Sequence, residues 1–180
     1  EPTNEGYALA KIAGNKLCLY LSRQYGWNTV SLMPCNLYGT NDNYDPENSH
    51  VFPAFVRRFV TAARENKTEE VLWGTGAPLR EFLHVDDVAN AVYFFLQNHN
   101  DPEVVNIGSG SDITIRELAG KIAAAAGFRG EIRWDASRPD GMYRKLMDSS
   151  KARKLGWNPE ITLDEGIERT VREYADLKLS

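Results

Sequence analysis

The sequence predicts an α/β fold, and three observations predict it. Segments whose apolar residues recur every three or four positions alternate with short β-rich runs. One such run, Val30-Ser31-Leu32-Met33, directly follows a helical segment, as in a parallel sheet buried on both faces. Turn signals, not linkers, separate the segments. At 180 residues, 42% hydrophobic and 26% charged, the chain has the make-up of roughly one globular domain, which excludes disorder and collagen. A formal charge of −4 gives no overall attraction to nucleic acid or anionic membrane. No apolar run approaches the ~20 residues of a membrane span, and the first residues resemble no signal peptide, so a cytoplasmic protein is expected. Cys18 and Cys35 have neither pairing nor metal-ligand spacing, and both are expected to be structural. The chain opens without Met and runs almost at once into a helix, so it is expected to be part of a longer protein.

Leu9, Ile12, Ala13, Leu17, Tyr20 and Leu21 recur at helical spacing and predict an amphipathic helix from Ala8 to about Tyr25, ending near Gly26. The strand around Val30 to Met33 follows, with Pro34-Cys35-Asn36-Leu37-Tyr38-Gly39 at its carboxyl end, where α/β proteins put ligands. Residues 40 to 49 read as a polar loop with a binding role. A helix is expected from Phe52 to Glu65 with Pro53 in its first turn, then a strand Val71-Leu72-Trp73 and a turn Gly74-Thr75-Gly76. An extended piece Glu81 to Val85 leads to a helix capped by Asp86 or Asp87 and running to about Gln97. Val104 to Ile107 predicts a strand, and Thr114-Ile115-Arg116-Glu117 a capping box opening a helix through Ala126. A strand around Ile132 to Trp134, a loop from Ser137 to Met142 and a short helix from Lys151 come next. A last helix begins at Leu163 behind a second box, Thr162-Leu163-Asp164-Glu165.

Tyr7 and Lys11, four positions apart, project from one helix face. An ammonium near a phenol favours the phenolate, which suits the pair to proton exchange, although on spacing alone a plain surface pair is the better reading. Two glycine-rich spots fail as dinucleotide fingerprints: Gly108-Ser109-Gly110 is followed three positions on by Ile113, and Gly74-Thr75-Gly76 lacks the pattern too.

Taken together, Tyr7-Ala8-Leu9-Ala10-Lys11, Met33 to Gly39, Arg80-Glu81-Phe82-Leu83-His84-Val85-Asp86-Asp87 and Asn106-Ile107-Gly108-Ser109-Gly110 resemble the extended short-chain dehydrogenase/reductases that act on nucleotide sugars. Within that family the resemblance is strongest to the enzymes that epimerise and reduce GDP-4-keto-6-deoxy-D-mannose. It is carried by Glu1-Pro2-Thr3-Asn4-Glu5, Asn48-Ser49-His50-Val51 and Arg138-Pro139-Asp140-Gly141 with Arg144-Lys145. Gly6 stands where a Pro is common in the family.

The resemblance implies the carboxyl-terminal part of an NAD(P)-binding Rossmann fold plus a smaller α/β substrate-binding lobe. Residues 1–39 would belong to the former and 40–180 mainly to the latter, with about 81–110 returning to the Rossmann sheet. It implies NADP(H) as cofactor, a GDP-sugar as substrate and a homodimer. By the same resemblance Tyr7, Lys11 and His50 are catalytic, and Lys11, Pro34, Cys35, Asn36, Leu37 and His50 contact the cofactor. Arg58, Trp73, Arg80 and Asp140 then bind the substrate. Guanidiniums suit a diphosphate and an indole face suits a base or sugar. The family's proton-exchanging Cys, the hydroxyl residue of the catalytic triad and the glycine fingerprint lie ahead of Tyr7, so the chain alone carries about half an active site and is expected to be inactive alone. The rival readings are another nucleotide-sugar epimerase or dehydratase of this superfamily, and a nucleotide-sugar binding module without catalysis.

Overall fold

The computed structural model describes residues 4–177; Glu1-Pro2-Thr3, which contributes to the resemblance, lies outside them. Helix α1, Glu5–Tyr25, ends where Gly26 takes a left-handed φ of 68° and donates its N–H to Ser22 O. None of its residues is buried. Leu9, Ile12, Leu17 and Tyr20 of the expected core stripe are each more than half exposed, because no other described element covers them.

The extended chain that follows forms β1, Leu32–Pro34, and β2, Asn36–Tyr38. It starts two residues later than the apolar run suggests. It changes partner at Cys35: β1 runs parallel to β6, Val105–Ile107, whereas β2 runs parallel to β5, Phe82–His84. Parallel pairing is as expected, but burial on both faces is not, since Met33 is half exposed.

Helix α2, Val51–Arg64, carries Phe52, Phe55, Val56, Phe59 and Val60 inward at helical spacing. They meet Leu118 and Ile122 of α4, Ile115–Ala125, and Ile167, Val171 and Tyr174 of α6, Leu163–Leu177. Tyr38 stacks on Phe52 at 4.1 Å. Each such buried side chain contributes about 1.5–3 kcal/mol. Beside this core, β3, Glu69–Trp73, pairs in parallel with β8, Glu131–Asp135. Strand β4, Leu79–Arg80, lies between β7, Ile113–Thr114, and β9, Arg144–Lys145.

A second apolar cluster joins Leu83, Val105 and Ile107 to Ala91 and Phe95 of α3, Val85–Asn98, with Ala152 of α5, Ser150–Lys154, and Trp157. Asp87 of α3 accepts the backbone N–H groups of Glu160 and Ile161 and so joins α3 to the segment before α6.

Two caps differ from expectation. The N-cap of α3 is His84, whose Nδ1 accepts the Asp86 N–H at 3.2 Å. Asp87 cannot cap because its carboxylate serves the segment before α6. The Thr114–Glu117 capping box forms in full. In the second box Thr162 Oγ1 accepts the Glu165 N–H, but the Glu165 carboxylate pairs with Arg169 one turn on.

Candidate active site

Tyr7 and Lys11 sit one turn apart on α1, with Lys11 Nζ 5.5 Å from the Tyr7 ring centroid. Both are exposed, and neither makes a hydrogen bond among the described residues. The expected cofactor segment occupies the partner change between β1 and β2. Pro34, Asn36 and Leu37 are exposed there, while Cys35 points inward beside Glu81. Burial, reinforced by the Glu81 charge, pushes the Cys35 thiol up to about 12, so it stays protonated at neutral pH. Asn36 Nδ2 donates to Glu81 O at 2.7 Å.

His50 is the exposed N-cap residue of α2, and its side chain makes no capping bond. The loop before it is built on Asp45, whose Oδ1 accepts the N–H groups of Glu47 and Asn48. Tyr44 packs on Tyr174 at 4.4 Å and anchors the loop to α6. Asp42 lies within electrostatic reach of His50; burial raises the Asp42 carboxyl, against the lowering effect of the Asn43 N–H and His50.

Arg58, Trp73, Arg80 and Asp140 gather around the carboxyl end of β3. Arg58 bonds Glu70 at 2.6 Å and also donates to Val71 O. Its guanidinium is thus anchored on β3, two residues before Trp73. Trp73 is 70% exposed, and the Arg138 guanidinium lies 5.0 Å over its ring. Arg80 donates to Leu79 O at 2.7 Å, and a Cβ built on Gly141 would lie 3.3 Å from its Nη2. Asp140 accepts from both the N–H and the hydroxyl of Thr75, and those bonds hold its carboxyl below the usual range.

The chain thus brings the four substrate candidates to one region and Tyr7 and Lys11 to one helix face. Among the described residues no hydrogen bond, ion pair or ring contact joins Tyr7 or Lys11 to His50. A cavity of about 620 Å³ lies elsewhere, lined by Val60, Arg64, Ala125, Arg172 and Ala175, and holds none of these residues.

Sequence reasoning gave no role to Glu81, Thr75 or Arg138. Glu81 is fully buried; its carboxylate accepts the N–H of Gly110 at 2.6 Å and of Met147 at 3.0 Å. A carboxylate directly before the apolar pair Phe82-Leu83 was the available signal. It also explains Gly108, where a Cβ would come within 2.4 Å of Glu81 Oε1.

The class of protein is given by comparison with known sequences and structures. The profile of the NAD dependent epimerase/dehydratase family matches residues 1–108, and the chain belongs to that family. It is 53% identical over 180 residues to "Probable GDP-L-fucose synthase 1" of Oryza sativa subsp. japonica, covering 100% of this chain and 55% of that one. It is 55% identical over 174 residues to GDP-L-fucose synthase 1 of Arabidopsis thaliana, covering 97% and 54%. A solved GDP-L-fucose synthetase from Naegleria fowleri bound to NADP matches with a TM-score of 0.91 at 26% identity, covering 100% of this chain and 58% of that one. The chain spans about half the length of the curated relatives it matches. Among the described residues no helix is long and apolar enough to cross a membrane.

Proposed function

We propose that the full-length protein carrying this chain converts GDP-4-keto-6-deoxy-D-mannose to GDP-L-fucose by epimerisation and NADP(H)-dependent reduction. The observation that carries the reading is the Tyr7–Lys11 pair, one turn apart on α1, in a member of the epimerase/dehydratase family whose relatives bear that name.

The residues fit the cofactor. Lys11 Nζ has no hydrogen-bond partner among the described residues and can meet a ribose hydroxyl. Pro34, Asn36 and Leu37 offer an exposed edge to the nicotinamide, and the protonated Cys35 adds an uncharged wall behind it. NADPH, when bound, supplies the hydride for the carbonyl carbon. Tyr7 Oη–H gives its proton to the carbonyl oxygen as that oxygen gains charge, and the Lys11 ammonium favours the resulting phenolate. The same carbonyl acidifies the C–H bonds on either side of it. The Tyr7 hydroxyl stabilises the enolate oxygen, His50 exchanges a proton with a flanking sugar carbon on one face, and the family's proton-exchanging Cys, ahead of Tyr7, would serve the opposite face. Arg58 and Arg80 attract the diphosphate, Trp73 offers its face to the base or sugar, and Asp140 borders the same surface.

In the same reading residues 1–39 belong to the Rossmann domain and 40–180 mainly to the substrate lobe. The second apolar cluster supports a return of about 81–110 to the Rossmann side and extends it to Ala152 and Trp157. The exposed apolar side chains of α1 are consistent with a homodimer, and a cytoplasmic location accords with the chemistry. The test is Tyr7→Phe in the full-length protein, followed by NADPH oxidation with the keto sugar. Turnover should fall by about 10²-fold or more; unchanged turnover overturns the reading.

A further inference from the structure

We propose that Asp140 is a positioning residue: it latches the loop between β8 and β9 onto the Gly74-Thr75-Gly76 turn, and so holds Arg138 against Trp73 and Gly141 beside Arg80. This rests on the nucleotide-sugar reading above and gives Asp140 its part in it.

Both Asp140 oxygens are engaged by one residue. Oδ1 accepts the Thr75 N–H at 2.9 Å and Oδ2 accepts the Thr75 hydroxyl at 2.6 Å. With both oxygens so engaged, its effect on a ligand runs through what the loop carries.

The turn is shaped to receive it. Gly74 has φ +82°, and a Cβ there would lie 2.4 Å from Asp140 Oδ1. Thr75 Oγ1 accepts the Ala77 N–H at 3.1 Å while donating to Asp140, so one hydroxyl stiffens the turn and takes the latch. From the other side Arg116 donates to Thr75 O and lies 4.7 Å over Trp134, against which Gly76 packs.

The loop needs such a tether. Its start is held by Asp135, which accepts the N–H and hydroxyl of Ser137, and its end by Tyr143 O, which accepts the Leu79 N–H at 2.7 Å. Between them residues 139–142 are exposed, and among the described residues the Thr75 bonds are their only polar contacts. Where the latch is closed, Arg138 covers one face of Trp73 and leaves the rest of this exposed ring to a ligand. The same loop carries Arg138 over the indole and Gly141 beside the Arg80 guanidinium. The Gly-Thr-Gly turn, which fails as a phosphate fingerprint, finds its use as the catch.

The test is a double-mutant cycle in the full-length protein, with GDP binding read by calorimetry. Asp140→Asn and Thr75→Val should each weaken GDP binding about three- to tenfold, and the double variant no more than the weaker-binding single, because both cut one link. With the keto sugar, KM should rise while kcat holds, and Thr75→Ser, which keeps the hydroxyl, should restore wild-type affinity. If Thr75→Val binds GDP like the wild type while Asp140→Asn does not, or if the two losses add, the latch is refuted. Wild-type protein that fails to bind GDP instead removes the nucleotide-sugar reading, and the latch's role with it.

Discussion

Replacing Glu81 tests the internal framing of the site. Its carboxylate is fully buried and receives two backbone N–H groups from segments far apart in sequence, Gly110 and Met147, with Ser109 Oγ at 3.5 Å. Glu81→Gln preserves the shape but leaves one oxygen, so one of the two N–H groups faces an amide donor. Losing a charge-assisted bond and leaving that donor poorly paired costs about 2–3 kcal/mol. A domain of this size loses about 2–4 °C of melting temperature per kcal/mol, so the variant should melt roughly 4–12 °C lower. Glu81→Ala, which removes both acceptors and leaves a void, should melt lower still. Thermal unfolding followed by circular dichroism reads both. A Glu81→Gln melting point within about 1 °C of wild type would refute the argument that this charge holds the three segments together.

Two further outcomes follow from the titrating groups. With its thiol pushed up to about 12, Cys35 should resist iodoacetamide at pH 8; peptide mapping that finds it labelled within minutes in folded protein contradicts the buried, Glu81-facing placement. Asp112 is held below the usual carboxylate value of 3.8 by its hydrogen bond from Arg144 and by that residue's charge. A carboxyl depressed on folding contributes stability above its unfolded value and loses it as pH falls through the folded one, so melting temperature should drop below about pH 4, less steeply in Asp112→Asn; equal slopes in the two proteins would count against the Arg144 pairing.

What could be read in the sequence was what neighbouring residues decide. The helix after Pro53, the Gly26 stop and the Thr114–Glu117 box rest on local patterns, and each is found as expected. His84 as a cap was not legible, because a histidine caps only where its ring is already fixed, here edge-on to Tyr38 at 5.3 Å. The stripe on α1 was legible as a stripe, but periodicity does not say what covers it, and no described element does. The site's framing bonds were out of reach for another reason. Asp140 meets Thr75 across 65 positions, and Glu81 meets Met147 across 66. Polar contacts of that span leave no period in a sequence, only an oddity such as a carboxylate directly before strand apolars.

The two halves of the proposed site are mechanically one piece. Asn36, in the segment proposed for the cofactor, pairs with Phe82 in the β2–β5 ladder and donates its side-chain amide to Glu81 O. Arg80, proposed for the diphosphate, is the residue before Glu81, and β4 sets it opposite Lys145, two positions ahead of the Met147 that Glu81 binds. Alternation along an extended chain sends the Glu81 side chain inward and the Arg80 side chain the other way. The buried carboxylate therefore fixes the backbone from which Arg80 projects, and the Asn36 amide fixes the same backbone from the nicotinamide side. Because Glu81 is held at both its carbonyl and its carboxylate, a displacement of the cofactor segment has no slack to absorb it before it reaches Arg80. That rigidity suits hydride transfer, in which a carbonyl carbon held through its distant diphosphate must meet the nicotinamide at a fixed distance.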